Sequence, residues 1–138
     1  MTQAAETNRH LATAHVESVS EEAMVLHVHD TDYRVRLVPV GDVSGLRPHQ
    51  RVTGVIRARA QRVDVAAAGG KYIEPVYGRP RRIQGRIIGG SVADNTIVVD
   101  CGLPFVCQLM DLQKAGDFNL HQIVGFEVEP DASFEPSL

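Results

Sequence analysis

Tryptophan is absent from this 138-residue chain, and aromatic residues make up only 5% of it, so a dense platform of stacking rings is excluded. Cysteine is scarce too. Cys101 and Cys107 form no Cys-x-x-Cys pair, which excludes a zinc ribbon and a thioredoxin-like redox centre. They flank Gly102-Leu103-Pro104, a turn signal, and in a reducing compartment they read as small hydrophobes rather than a disulfide. No run of apolar residues is long enough to cross a bilayer, and residues 1–10 contain no apolar h-region, so the expectation is a cytoplasmic protein without a membrane partner. Catalytic signatures are also missing: there is no Gly-x-Ser-x-Gly elbow, Walker loop, dinucleotide-binding glycine pattern or His-Glu-x-x-His. The expectation is a non-enzyme without a cofactor.

What is present is a set of short Val/Ile-rich runs punctuated by seven prolines and twelve glycines, the signature of an all-β chain. Sliding the sequence by 72 positions without a gap places His49-Gln50 on His121-Gln122, Val52 on Val124, Ile56 on Val128 and Leu37 on Leu109. The apolar pattern coincides over some fifty residues, which predicts one supersecondary unit used twice. The predicted division is a disordered tail at 1–10, a first small barrel at 11–66, a linker at 67–82 and a second small barrel at 83–138. Half-chains of this size are marginal alone, so the units should pack on each other or on another subunit.

Within the first unit, strands are expected over 11–19, 23–29, 33–38 and 51–60, with a bend near Gln61. Tyr33, Val35 and Leu37 should face the core and Arg34 and Arg36 the solvent. In the next strand Ile56, Ala58 and Ala60 alternate against Val55, Arg57 and Arg59. The second unit repeats this with strands at 82–91, 96–101, 105–110 and 122–129, and 132–138 either closes the unit or frays. One conflict remains: Ile97, Val99 and Cys101 look inward, whereas the first unit's own alternation turns Met24, Leu26 and Val28 inward and not the aligned Val25 and His27. Burial of that strand on both faces would reconcile them.

Three strands, an irregular break and a long fourth strand give the order of a small OB-like barrel, with an SH3-like barrel as the nearest competitor, and two OB-like barrels packed in tandem are the fold expectation. The stretch Leu46-Arg47-Pro48-His49-Gln50-Arg51-Val52 followed by Val55-Ile56-Arg57-Ala58 resembles the tandem oxyanion-binding barrels called MOP or TOBE domains. That family tends to have a Leu-x-x-Gly-x-x-Val turn and a strand ending in a basic residue and Ala. The resemblance implies tandem barrels and, by family habit, small-oxyanion binding. This chain departs from the pattern in two places: His49 and His121 stand for the turn glycine, and Arg59 for a small hydroxyl residue.

Charge carries the functional hint. Net charge is −3, but residues 47–86 hold ten of the fourteen Lys and Arg with only Asp64 and Glu74 as acids, while 87–138 hold eight acids against Lys114. Arg34, Arg36, Arg57, Arg59, Arg79, Arg81 and Arg82, with Tyr72 and Tyr77 beside them, are expected to form a stripe for an anionic partner, nucleic acid first. The competing reading pairs this basic middle with the acidic C-terminal half, within the chain or across a homo-oligomer interface. His27 and His29, two apart on a strand and followed by Asp30 and Asp32, have metal-ligand spacing without an evident third ligand and read more simply as surface or interface residues. The repeated His-Gln reads as a structural choice at the start of a strand.

Overall fold

The computed structural model describes residues 11–110 and 112–137; the predicted tail at 1–10 lies outside them. The described chain is all-β, with a single 3-10 turn at Ala115–Asp117 and no α-helix. Its strands are β1 (Leu11–Val19), β2 (Met24–His27), β3 (Arg34–Pro39), β4 (Arg51–Val65), β5 (Tyr72–Glu74), β6 (Tyr77–Gly78), β7 (Arg82–Ser91), β8 (Thr96–Asp100), β9 (Pro104–Leu109), β10 (Ile123–Val128) and β11 (Ser133–Pro136).

The architecture turns on β4, which at 15 residues is far longer than an ordinary strand. Its first half pairs with β1 and β11, and its second half with β9 and β10. The pairings β1–β2–β3–β11–β4–β1 close on themselves as a five-stranded barrel. The remaining long strands continue from the other half of β4 through β10, β7, β8 and β9 and return to it. The segment expected to close the second unit or fray does neither. As β11 it lies parallel to β3 and antiparallel to β4, with Phe134 fully buried, and so completes the N-terminal circuit. A long-range apolar anchor decides its position, not proximity in sequence.

Period-two patterning explains the core. Val35 and Leu37 of β3 and Ile56, Ala58 and Ala60 of β4 are buried, and the arginines between them face out. β4 does not stop near Ala60 as expected. Arg62 adopts a left-handed φ of 51°, and the Gln113 side chain then supplies the missing partners: its Oε1 accepts from Val63 N at 2.7 Å and its Nε2 donates to Val63 O at 2.8 Å. The strand bulges there and continues.

The gapless repeat needs correction. Val16 donates its N–H to Gln50 O and accepts from His49 N; in the second half it is Ile87, not Ile88, that bonds Gln122 and His121 in this way. Pairing of Met24 with Leu37 and Leu26 with Val35 corresponds to Ile97 with Cys107 and Val99 with Phe105, so the inner residues of β2 and β8 are one place out of the 72-residue alignment. The cause is the β-bulge, which follows Val16 in β1 and Ile87 in β7, one place earlier than the repeat would put it; beyond it, the β8–β9 turn, closed by Cys101 N to Leu103 O, is also shorter than the β2–β3 turn, closed by Val28 N to Tyr33 O. Met24, Leu26 and Val28 face the core as their alternation predicts, and Val25 and Val98 are buried as well.

Where the 72-residue repeat does hold, it holds in detail. His49 and His121 have φ of 70° and 73° in the turns Arg47–Gln50 and Asn119–Gln122. In each turn the glutamine Oε1 accepts the first residue's N–H, at 3.0 Å for Arg47 and 2.8 Å for Asn119. The recurrent glutamine is therefore a turn-closing residue.

Candidate nucleic-acid interface

The predicted linker is built into the sheet. Ile73 is buried and pairs with Ile83, Tyr72 pairs with Gln84, and β6 runs parallel to β3 with Tyr77 beside Arg34 and Gly78 beside Val35. Gly78 takes a positive φ of 132°, and Pro80 is buried, so the chain turns sharply from the edge of β3 towards β7. Arg81 is then held through its backbone, donating to Glu74 O and accepting from Val128 N, both at 2.8 Å. This route gathers Tyr77, Arg79, Arg81 and Arg82 around a shallow depression of about 550 Å³ with Glu74, Pro75 and Gly78. Tyr77 is 64% exposed. Arg36 lies on the outer face of β3, one residue past the last β3–β6 pair, where the chain leaves β6 at Arg79.

The expected continuous stripe is broken by acids. Arg34 Nε donates to Glu17 Oε2 at 2.8 Å and its Nη1 to Asp32 O at 3.0 Å. Arg57 Nη1 meets Glu135 Oε1 at 2.7 Å, Arg59 Nη2 meets Asp131 Oδ2 at 2.9 Å, and Arg82 Nη1 is 3.4 Å from Glu127 Oε1. Glu127 pairs in register with both Gln61 and Arg82, so an acid separates the β4 arginines from Arg82 across the sheet. Tyr72, ahead of Glu127, raises the Arg82 pKa above its ordinary value. Among the described residues Arg36, Arg79 and Arg81 make no ion pair.

Arg57 and Arg59 line a different cleft of about 500 Å³ over β4, β8 and β9, with Ser91, Asp94, Thr96, Gln108, Asp131 and Ser133. The sequence could not show this separation, because it depends on which strand lies on each edge of β4.

His27 Nε2 donates to the Thr31 carbonyl at 2.7 Å and holds the β2–β3 turn. His29 is exposed beside Asp30 and near the His15 ring, centroids 5.8 Å apart. Among the described residues no group of three His, Cys, Asp or Glu converges as a metal site would require. Cys101 and Cys107 are free, buried thiols. Lys71 donates to Asp100 Oδ2 at 2.6 Å; burial pushes the Asp100 carboxyl up, but Lys71 and the Gly102 N–H together hold it below the ordinary value. No described helix is long and apolar enough to cross a membrane. Comparison with protein-family models, curated proteins and solved structures finds no match.

Proposed function

We propose that this protein is a non-catalytic binding module, two OB-like barrels fused along β4, that takes an anionic polymer, nucleic acid, on the surface formed by Arg36, Arg79, Arg81 and Tyr77. The observation that carries the reading is the gathering of Arg79 and Arg81, which make no ion pair among the described residues, with exposed Tyr77 around one depression that also holds Glu74, while Arg36 lies on the adjoining face of β3. Phosphates supply the charge these side chains lack, and a base stacks on the ring. Arg82, already paired, and Arg34, tied to Glu17, frame the surface. Gly78 and buried Pro80 fix the backbone that carries Arg79 and Arg81, which reduces the ordering cost of binding.

The internal pairs Arg57–Glu135, Arg59–Asp131, Arg82–Glu127 and Lys71–Asp100 join basic and acidic parts within one chain, so a homo-oligomer is not needed to satisfy them. The test is binding to a fluorescent single-stranded oligonucleotide at two salt concentrations, with mass by light scattering on the same sample. Binding is expected to weaken steeply with salt, and Arg79→Glu with Arg81→Glu to lower affinity by about tenfold or more with an unchanged melting temperature. Salt-insensitive binding of inorganic oxyanions alone would favour a small-oxyanion protein of the MOP type. A stable assembly that binds no anion would overturn the reading in favour of a charge-paired structural module.

A further inference from the structure

The cleft over β4 carries a second inference, which rests on the nucleic-acid reading. Arg57 and Arg59 project from one face of β4, two residues apart and hence about 6.7 Å along the strand. Three hydroxyls, from Ser91, Thr96 and Ser133, line the same cleft and have donors to offer an anion, and a further carboxylate, Asp94, lines it without an ion pair to either arginine. Both guanidiniums are about half exposed, as are their partners Asp131 and Glu135. Each recorded ion pair uses one terminal nitrogen, so the other guanidinium N–H groups are outside these bonds. Asp131 sits in the turn before β11, between β3 and β4: Val38 N donates to Ala132 O on one side and Glu129 N to Arg59 O on the other. The backbone there is held by the barrel pairings and by buried Phe134, while the Asp131 and Glu135 side chains are about half exposed.

We propose that this cleft is a second phosphate-binding surface held in the free protein by the chain's own carboxylates, which a polyanion displaces and a single oxyanion does not. Exposed ion pairs are individually weak, so exchange is inexpensive for a ligand that brings several phosphates at once. A lone oxyanion must expel one carboxylate for one anion and gains no net charge pairing. Asp131 and Glu135 thereby raise the charge density a ligand needs and discriminate polymer from monomer.

The test compares the intact protein with Asp131→Asn plus Glu135→Gln, using a fluorescent single-stranded oligothymidylate and, separately, inorganic sulfate. Glu21→Gln plus Glu22→Gln, exposed acids on the β1–β2 turn, gives the same change in net charge away from the cleft. The cleft variant is expected to bind the oligonucleotide about tenfold more tightly at an unchanged log–log salt slope, because the same phosphates meet Arg57 and Arg59 in both proteins, while the control does not tighten. Adding Arg57→Gln and Arg59→Gln should abolish the gain, and sulfate should perturb the Arg57 and Arg59 side-chain NMR signals only in the cleft variant. If the intact protein binds in an Arg79- and Arg81-dependent way but the cleft variant matches it in affinity, this inference fails and the function stands. If the control gains equally, the effect is net charge and the inference fails. Binding by the cleft variant alone, dependent on Arg57 and Arg59, would show that a polyanion does not displace the carboxylates of the intact protein, and both readings would fall. If neither binds, both fall.

Discussion

Cys101 and Cys107 show how far burial alone decides a residue's chemistry. Burial pushes the Cys101 thiol up to about 12, and the Cys107 thiol well above its ordinary value, the neighbouring Cys101 adding to the latter. Both thiols donate weakly to backbone carbonyls, Cys101 Sγ to Leu103 O at 3.4 Å and Cys107 Sγ to Phe105 O at 3.5 Å. In the folded protein they keep their protons under alkaline conditions, whereas in the unfolded chain they ionise near pH 8.5–9. The unfolded state therefore binds fewer protons at high pH. Stability is complete below about pH 9 and falls as pH rises towards 12, by up to about 1.4 kcal/mol per pH unit for each thiol. Denaturant melts between pH 8 and 11 are expected to show this slope, and native protein at pH 8 is expected to resist iodoacetamide until it is unfolded. Rapid native alkylation would contradict the burial. Reading these cysteines as small hydrophobes required only their apolar neighbours and the turn between them. The counter-ions of Arg57 and Arg59 were not legible in the same way: Glu135 lies 78 residues from Arg57 in the chain, and its approach depends on the register of β11.

The strands were more legible than their closure. Alternation of small or branched residues with arginine identifies β3 and the first ten residues of β4, because a half-buried strand imposes a period of two. It does not reveal that β4 runs on to Val65, since that depends on the Gln113 side chain filling a backbone ladder from 50 residues away. Nor does it say why Gly54 sits inside β4, where glycine ordinarily weakens a strand. Gly54 is needed for close approach: a Cβ there would collide with the Glu135 carbonyl oxygen and lie 2.6 Å from a Phe134 ring carbon. Gly85 of β7 is confined in the same way by the Asp100 backbone. Gly54→Ala must displace β11 or turn the Phe134 ring from its seat, and is expected to cost about 3 kcal/mol in chemical denaturation. Gly45→Ala is the control, because its added methyl meets nothing within 4 Å; it should be neutral or slightly stabilising. Equal effects of the two would show that β11 is not held against β4 at this point.

At the scale of the whole molecule, β4 and β11 make the two halves inseparable in a way the repeat conceals. A fragment ending at residue 66 has β1 to β4 but lacks β11, so the adjoining edges of β3 and β4 are left unpaired and the seat of Phe134 is empty. A fragment starting at residue 67 has β7 to β10 but lacks β4, which opens the facing edges of β9 and β10 and exposes Phe126 and Leu109 of the core. Each half would also be close to the size at which a lone core barely offsets chain entropy. The intact chain is therefore expected to unfold in one transition, with far-UV circular dichroism and tyrosine fluorescence coincident, and the two fragments to be largely disordered alone. Mixed together, they should recover the β spectrum only as a complex, because each supplies strands that the other needs, β4 from the first and β11 from the second. A cooperative melt by the 1–66 fragment alone would show that the N-terminal barrel closes without β11, and the shared-strand architecture would then be an association of two independent folds.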